Sequence, residues 1–388
     1  MAEIVVIGAG IAGLATASAL QQRGHSVTVI EERADTGPGA GISIWPNALA
    51  ALDVLGLGDR VRAAGGRVSA GAIRWKDGSW LRRPSRERIV TALGEPLVVI
   101  QRATLRDVLA HALTAGTGVH GVAARGLTVT PQGVEVQLSD SATRTADAVV
   151  GADGTHSVLA RHLNGPLAHR YVGYTAWRGG AAMAVDDELA GETMGPGSEV
   201  GHVPMGDGRT YWFATERAAE GGVAPQGELA YLRSKLASWA EPIPAMLAAT
   251  HPDDVLRNDL YDRSPAGRWA AGPLVLVGDA AHPMRPHLGQ GGCQALEDAA
   301  VLGAMVELSA HLPSAFSAFA SFRRRRVSGV VRESRAIGRR VNLRPALLSA
   351  ALSQATVVVP EVVMTRHLAT IAARSAFRLP TRNDAQSA

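Results

Sequence analysis

The 388-residue chain carries 39 lysines and arginines against 35 acidic residues, so its formal charge is only +4. This length exceeds what one ordinary core carries and indicates two closely packed domains. The single cysteine, Cys293, excludes an intramolecular disulfide framework and any multi-cysteine metal site, so no metal is predicted and a reducing cytoplasm fits.

The first predicted unit is a strand, a glycine turn and a helix. Residues 3–7 are a continuous apolar run that breaks at Gly8, and an alanine- and leucine-rich helix is predicted over 14–22. In the Gly8-x-Gly10-x-x-Gly13 turn, Gly8 permits the tight bend, Gly10 leaves room for a pyrophosphate, and Gly13 lets helix and strand pack closely. This order is typical of a dinucleotide-binding fold.

A second predicted strand, residues 26–30, ends at Glu31, whose carboxylate can accept hydrogen bonds from a ribose. Strand, motif, helix, strand and acid in this order predict a dinucleotide site. A glycine-rich bend follows at 39–47, and residues 48–57 have helical apolar spacing. The bend is suited to pass close to a flat ring.

Short strands separated by turns are predicted over residues 68–100, where the chain leaves the nucleotide fold for a sheet. A helix opens near Arg102, and returning strands follow over 119–151. From 171 to 262 the sequence shows alternating polarity, Gly/Pro turns and most of the remaining aromatic residues. This pattern predicts a second domain inserted into the first.

The next buried strand, residues 274–277, delivers Gly278 and Asp279 at its carboxyl end, where open α/β sheets place ligands. A glycine ribbon at 286–292 then leads into a helix over 293–308. The amides of the ribbon are suited to cradle a phosphate or to polarise a ring oxygen. We therefore expect this segment and the N-terminal turn to close on one nucleotide.

Two further stretches have unusual composition. Residues 323–326 are four arginines within helix-like sequence that has no interleaved aromatics, so ion pairs or a solvated helix face are predicted and nucleic-acid binding is not. Residues 345–364 are apolar but include Ser, Gln, Pro and Glu, which favours a packed helix pair over a membrane-spanning helix. Peripheral membrane contact stays open as an alternative. No secretion signal precedes the first strand.

Three ordered motifs resemble the group A flavin-dependent monooxygenases of the para-hydroxybenzoate hydroxylase superfamily over nearly the whole chain. They are GAGIAG at 8–13 followed by Glu31, DGTHSVLAR at 153–161, and GDAAHPMRPHLGQGGCQALEDA at 278–299. The resemblance implies an α/β fold with a Rossmann-like FAD-binding domain of the GR2 type, an inserted β-sheet substrate domain and C-terminal helices. The predicted bounds are 1–67, 101–170 and 263–342 for the FAD-binding domain, 68–100 and 171–262 for the substrate-binding sheet domain, and 343–388 for the helical segment.

The resemblance also implies how FAD is held. In the family, the residue matching Asp279 holds the ribityl chain, and Arg102 would approach the phosphate and ribityl region. Asp153 either belongs to the cofactor region or caps a strand-to-helix turn, and both interpretations stay open. The cofactor-binding residues implied are Gly8, Gly10, Ala12, Gly13, Glu31, Glu32, Ser43, Arg102, Val122, Asp153, Asp279, Pro286, Gly289, Gln290, Gly291, Gly292 and Cys293.

Within the superfamily the chain looks most similar to urate hydroxylase, salicylate hydroxylase-like enzymes and zeaxanthin epoxidase. Tyr211 falls at a tyrosine that faces substrate in urate hydroxylase, whereas Glu199 stands where that enzyme presents an arginine. Arg178 and His202 are candidate replacements for that arginine. His287 in the glycine ribbon is a candidate substrate or flavin contact.

The reaction that the resemblance implies is oxygen insertion into an aromatic or polycyclic substrate through a C4a-hydroperoxyflavin. NADPH or NADH would act as a transient co-substrate, since the chain has no second full GxGxxG motif. Epoxidation of an apolar substrate, a flavin-dependent reductase or dehydrogenase, and a non-enzymatic flavin redox sensor stay as alternatives. We expect a cytoplasmic monomer or homodimer that takes a small aromatic substrate and O2, without a nucleic-acid partner or stable membrane insertion.

Overall fold

The computed structural model describes residues 1–34, 40–69 and 71–386, so Gly39 at the start of the predicted bend lies outside the described residues. The strands of the described chain are β1 (Glu3–Ile7), β2 (Ser26–Glu31), β3 (Gly41–Ile44), β4 (Gly66–Val68), β5 (Ala72–Trp75), β6 (Trp80–Arg82), β7 (Leu97–Gln101), β8 (Gly118–His120), β9 (Ala124–Thr130), β10 (Gly133–Leu138), β11 (Thr143–Ala146), β12 (Ala148–Gly151), β13 (His169–Ala181), β14 (Gly191–Gly195), β15 (Ser198–Gly206), β16 (Arg209–Glu216), β17 (Leu256–Arg263), β18 (Ala270–Ala271) and β19 (Leu274–Leu276).

The α-helices of the same residues are α1 (Ile11–Gln21), α2 (Pro46–Val54), α3 (Gly58–Ala64), α4 (Arg86–Leu93), α5 (Arg102–Ala110), α6 (Val158–Asn164), α7 (Glu228–Lys235), α8 (Ile243–Ala248), α9 (Gly291–Leu308), α10 (Leu312–Val341), α11 (Ala346–Ala355), α12 (Glu361–Ala372) and α13 (Arg382–Gln386).

A six-stranded sheet forms the first layer, in the order β18-β19-β12-β1-β2-β8, and it is parallel except for β18. Strand β1 is apolar throughout its buried length because both faces of the sheet are covered. Ile4 and Val6 face one core with α1 and α9, whereas Val5 and Ile7 face a second core with β9 and β10. The strand, glycine turn and helix predicted at the N-terminus are confirmed.

A seven-stranded sheet forms the second layer, in the order β17-β13-β16-β15-β14-β5-β6. One of its faces packs on α7 and α8 through Trp177, Trp212 and Trp239. These two helices interrupt the strands predicted over 171–262. They have eight and six residues, which is too short to show a helical period against the surrounding alternation.

Two smaller sheets complete the fold. Strands β9, β10 and β11 form an antiparallel meander, and β7 lies between β3 and β4 in a second three-stranded sheet. Residues 68–100 therefore contribute to two sheets, since β5 and β6 join the seven-stranded sheet while β7 pairs with β3. This small sheet brings the segment around Gly41 next to the start of α5.

The last quarter of the described chain is helical. Helix α9 enters the core beside α1, and the 30-residue α10 runs back along it. No single helix of the described chain is long and apolar enough to cross a membrane, whereas the pair Ala346–Val358 and Glu361–Ala372, bent by 104°, passes on length and composition together.

Candidate active site

The N-terminal glycine turn leaves room for a ligand. Gly8 has φ +102°, and a Cβ there would lie 2.5 Å from the carbonyl oxygen of Ala152. A Cβ on Gly13 would overlap the Gly8 carbonyl oxygen, so helix and strand are in contact at this point. Among the described residues, no heavy atom lies within 4 Å of the Cβ position of Gly10. The turn therefore fits a pyrophosphate at the N-terminus of α1.

Charged groups surround this turn. Glu31 Oε2 accepts a hydrogen bond from the Ala9 amide at 2.7 Å, and Arg106 Nε donates to the Ala9 carbonyl at 3.2 Å. Burial lowers the pKa of Arg106, and the Glu31 charge opposes that shift. An arginine side chain remains protonated even when burial lowers its pKa. Arg106 therefore offers a cation for a phosphate, and Glu31 offers a carboxylate for a ribose.

The third motif touches the first. Asp279 is exposed on a 3-10 turn after β19, and the Gly278 amide donates to Asp298 on α9 at 2.8 Å. A Cβ on Gly278 would lie 2.8 Å from the Ala12 side chain on α1. The Asp279 carboxylate thus stands free at the carboxyl edge of the sheet, beside the start of α1.

A buried ionic network fixes the Asp279 turn to α9 and α10. Arg323 Nε donates to Asp298 at 2.7 Å, and its Nη1 donates to Glu297 at 2.6 Å. Asp298 also lies 2.6 Å from His282 Nε2, and Arg326 donates twice to Glu297. Burial alone would raise the pKa of both carboxyls, but the attached cations outweigh it and lower both values. Two of the four consecutive arginines therefore serve as internal ion pairs.

Arg263 links the second motif to the third. Its guanidinium is buried, donates to the Ala280 carbonyl at 2.8 Å, and is attracted by the charges of Asp279 and Asp153. Asp153 Oδ2 accepts a hydrogen bond from the Val158 amide in the first turn of α6 at 2.7 Å, whereas the N-cap residue of that helix is Ser157. Asp153 Oδ1 is buried and has no hydrogen-bond partner among the described residues, and a contact of Asp153 with the cofactor stays a prediction.

The glycine ribbon closes the site beside α2. Gly289 has φ +60°, and its Cβ position lies 2.9 Å from Trp45 Nε1, an indole nitrogen that is buried without a partner. Asn47 donates to Gln290 Oε1 at 3.0 Å, which ties the ribbon to α2. Burial raises the pKa of Cys293 to about 12, so its thiol is a small core group at this helix start.

Two of the substrate-side candidates, Tyr211 and Arg178, lie on one face of the seven-stranded sheet. Residues directly opposite each other on neighbouring strands point to the same face. Phe213 on β16 lies opposite Arg178 on β13 and Gly201 on β15. This face therefore carries Tyr174, Ala176, Arg178, Glu199, Gly201, Val203, Tyr211, Phe213 and Thr215.

Tyr211 lies against the cofactor-side backbone. Its ring packs on Gly41 so closely that a Cβ there would meet Tyr211 Cγ at 2.5 Å. Burial raises the pKa of Tyr211, and the charges of Arg178 and Arg102 oppose the rise. Arg178 also donates to Asn258 Oδ1 at 2.8 Å. A protonated phenol and a guanidinium therefore share one end of the face.

His287 bridges the ribbon and the sheet. Its Nε2 lies 2.8 Å from Tyr174 Oη, its Nδ1 lies 3.0 Å from Glu199 Oε1, and its side chain is only 1% exposed. Burial raises the pKa of Tyr174 to about 12, so the phenol is protonated and donates to Nε2. Nδ1–H then donates to Glu199, which also accepts from Thr215 at 3.1 Å.

A second carboxylate, Glu192 on β14, lies beside this network opposite Gly201. Burial, and then the Glu199 charge, raises the pKa of Glu192 to about 8, while Arg340 opposes the rise. Glu192 itself is half-buried. Near neutral pH this group can hold or release a proton.

These features match a known family. The profile of the family described as FAD binding domain matches residues 1–333. The chain belongs to this FAD-binding domain family. The resemblance drawn from the three motifs is confirmed, the cofactor is FAD, and the predicted α/β fold with a sheet domain and C-terminal helices is confirmed as well.

Two relatives and one solved structure illustrate the family. The chain is 38% identical over 338 residues to aurachin C monooxygenase/isomerase of Stigmatella aurantiaca, covering 86% of this chain and 88% of that protein. It is 35% identical over 354 residues to 3-amino-4-hydroxybenzoate 2-monooxygenase of Streptomyces cremeus, covering 88% of each. HpxO of Klebsiella pneumoniae, crystallised with FAD and uric acid, has a TM-score of 0.89 at 28% identity over 95% of this chain and 96% of that chain.

Most of the cofactor residues predicted from the sequence lie on the glycine turn, the Asp279 turn and the glycine ribbon. Beyond those described above, Glu32 is exposed after β2, and the Val122 amide donates to the Glu31 carbonyl at 3.0 Å. The Ser43 carbonyl oxygen lies 3.5 Å from Cys293 Sγ, on the strand next to α9. Their individual contacts with FAD stay predictions.

One substrate-side expectation needs correction. His202 lies opposite Trp212, on the face of the sheet that packs against α7 and α8. It points away from Glu199 because three positions separate the two residues along a regular strand. Burial, and then the Arg74 charge, lowers the pKa of His202 to about 4, so it is a neutral core residue. Arg178, Tyr211 and His287 share the other side.

Three functional candidates of this site were missed from the sequence. Arg106 follows Arg102 at the i, i+4 spacing of one helix face, and this spacing could have revealed it. Arg263 ends β17 with no local motif to single it out. Tyr174 belongs to an aromatic strand, but its partner His287 is 113 residues away, so only the fold brings them together.

Proposed function

We propose that the protein is an FAD-dependent monooxygenase that uses NADPH or NADH and O2 to oxygenate a small aromatic molecule. The observation that carries the proposal is the meeting of two groups at one edge of the parallel sheet. The glycine turn and Asp279 form the cofactor side there, and the face carrying Tyr211, Glu199 and Arg178 meets the glycine ribbon where Glu199 contacts His287. The monooxygenases among the relatives support this reading.

We also propose how the chain divides the work. The six-stranded sheet with α1, α9 and α10 would hold FAD, the seven-stranded sheet would hold the substrate, and residues 343–388 would form a separate helical segment. Gly10 and Arg106 would receive the pyrophosphate, Glu31 the adenine-side ribose, and Asp279 the ribityl chain. Bound FAD supplies the redox chemistry and the activation of O2.

The substrate face would position an aromatic ring and manage its proton. Tyr211 and Phe213 supply flat apolar surface, and Arg178 supplies a cation for an electron-rich substituent. The Tyr174 hydroxyl donates into His287, whose other ring nitrogen is held by Glu199. This chain of hydrogen bonds offers a proton acceptor for a substrate hydroxyl inside a closed site.

The closed site serves a second purpose. The Tyr174 and His287 side chains lie against Gly338 of α10 so tightly that a Cβ there would be 2.6 Å from either one. Such packing keeps water from the reacting groups, where it would divert reduced flavin to hydrogen peroxide. Substrate binding and exclusion of water are therefore handled by the same elements.

Stopped-flow absorbance on the FAD-loaded protein tests the proposal. The protein is mixed without oxygen with NADPH and then NADH, across phenols, quinolones and polycyclic aromatics, and is next exposed to O2. We expect an aromatic compound to accelerate flavin reduction and to gain one oxygen atom by mass spectrometry. Hydrogenated product without oxygen consumption would indicate a reductase, and flavin reduction that no compound affects would indicate a sensor.

A further inference from the structure

Exposed apolar side chains concentrate at the bend between α11 and α12. Fourteen large hydrophobic residues are exposed in the described chain, and seven of them lie within residues 347–363. Leu347 is 75% exposed and Val358 is 83% exposed. We call residues 345–363 the apolar bend. Its seven exposed members are Leu347, Leu348, Leu352, Val357, Val358, Val362 and Val363.

Helix α11 has its polarity reversed. The two buried residues are Ser349 and Ser353, and Ser349 Oγ donates to the Val341 carbonyl at 2.6 Å. Leu348 and Leu352, one turn apart, point away from the protein instead. A helix packed on a globular protein in water turns its apolar stripe inward. The arrangement here suits an apolar medium outside the protein.

The apolar bend is held firmly against the fold. The Arg82 guanidinium donates to the carbonyls of Thr356 and Val359, the latter at 2.6 Å. Arg88 on α4 pairs with Glu361 at 2.9 Å, which fastens the start of α12. The exposed leucines and valines are therefore presented by a fixed scaffold.

Positive charge frames the apolar bend. Residues 345–360 contain no charged side chain, whereas arginines stand at 339, 340 and 344 before it and at 366 after it. Arg339, Arg344 and Arg366 are exposed and make no salt bridge within the part of the chain that the structure describes. An apolar centre with a cationic rim complements a lipid surface that bears negative charge.

We propose that the apolar bend docks on the surface of an anionic lipid bilayer. The exposed leucines and valines would enter the boundary between headgroups and acyl chains, and the flanking arginines would meet lipid phosphates. A second copy of the chain fits this face less well, since a two-fold contact would bring the same arginines together. Docking is independent of the proposed reaction.

The docked face would also adjoin the substrate sheet. Ala350 of α11 packs with Trp75 and Met194, and Met194 lies on β14 two residues from Glu192. The Gly197 turn before β15 reaches Ala346, whose Cβ would lie 3.6 Å from a Cβ at Gly197. Docking would therefore bring this part of the seven-stranded sheet near the bilayer, where an apolar substrate accumulates.

Vesicle flotation of the full-length, FAD-loaded protein tests the proposal. We expect the protein to float with vesicles of phosphatidylcholine and phosphatidylglycerol, and to bind roughly tenfold more weakly to phosphatidylcholine alone or at high salt. Absence of binding to the anionic vesicles would overturn the proposal.

Substitutions in the apolar bend test whether this segment makes the contact with the vesicle. The double substitution Leu348→Ser and Val358→Ser should weaken vesicle binding roughly tenfold or more while flavin content stays unchanged. Val223→Ser is the matched control, because Val223 is 79% exposed in a different region. Equal binding by the double variant would refute the assignment to the apolar bend. A concentration-dependent dimer in light scattering that the double substitution abolishes would instead assign this face to a second copy.

Discussion

His287 Nδ1 lies 3.0 Å from Glu199 Oε1, and this contact joins the glycine ribbon of the cofactor side to the substrate sheet. The Nε2 atom of the same imidazole accepts a hydrogen bond from the Tyr174 hydroxyl. Neither side of the site can shift without changing this hydrogen bond. The pair thus couples the position of the ribbon to the protonation states of the groups on the substrate face.

The substitution Glu199→Gln tests the role of that pair. Gln keeps the size of the side chain but removes the charge that orients the His287 N–H. We expect product formation to fall roughly tenfold to hundredfold with FAD content unchanged. The measurement is the rate of substrate oxygenation across pH, with Tyr174→Phe as a second interruption of the same chain. If both variants had the same pH–rate profile as the wild type, the hydrogen bonds among Tyr174, His287 and Glu199 would have only a structural role.

The substitution Gly10→Ala separates ligand space from protein packing. Its Cβ would meet no atom of the described residues within 4 Å, so the chain should fold normally. FAD should bind at least roughly tenfold more weakly, because the methyl group occupies the approach of the pyrophosphate. The flavin absorbance per protein after gel filtration measures the effect. Gly329→Ala, which also meets no atom within 4 Å, serves as the control and should retain all its flavin.

The substitution Asp279→Ala removes the exposed carboxylate at the end of β19. We expect FAD affinity to drop roughly tenfold to hundredfold through the loss of charge-assisted hydrogen bonds. Circular dichroism should stay unchanged, since this side chain accepts no hydrogen bond in the folded chain described here. Asp253→Ala, at a side chain 91% exposed, is the control. A full complement of FAD in Asp279→Ala would contradict the proposed location of the site.

The substitution Arg323→Met leaves Glu297 and Asp298 as buried carboxylates short of a cation. It should lower the free energy of unfolding by about 3–5 kcal/mol. Because the folded pKa of each carboxyl is lowered, the stabilisation is present above about pH 4 and is lost as pH falls through those folded values. Urea titrations over pH measure both effects. The exposed neighbour Arg325→Met should change stability by less than about 0.5 kcal/mol.

The sequence predicts the parts of the site that are local. Glycines with their special backbone geometry, and Asp279 at the end of a buried strand, are recognisable because each motif carries its own strand and helix signals. Contacts across the fold are different. No motif near Arg263 in the sequence predicts that its side chain lies near Asp153 and Asp279. Strand β17 comes close to those residues only because it pairs with β13 in the folded sheet.

The position of His202 shows that closeness along the chain is a poor guide to which face of a sheet a side chain occupies. A histidine close to Glu199 along the chain is a natural substrate candidate, but an odd separation on a strand places it on the opposite face. The face that is buried under α7 and α8 becomes known only once those short helices are placed. The distinction depends on register, which the fold supplies and the motif does not.

The substitution His202→Leu tests this correction. Both ring nitrogens of His202 are buried and have no hydrogen-bond partner in the part of the chain that the structure describes, so an apolar side chain of similar volume should be neutral or stabilising at pH 7. Burial lowers the folded pKa of His202 to about 4, so its contribution to stability is present above its unfolded pKa and is lost as pH falls towards 4. Wild type should therefore lose roughly 2 kcal/mol between pH 7 and pH 5 through this group, and His202→Leu should not. Denaturant unfolding at both pH values measures the difference, and oxygenation by the variant should stay close to wild type. If His202→Leu lost most of its activity while its stability was unchanged, His202 would instead have to be assigned a role in substrate binding.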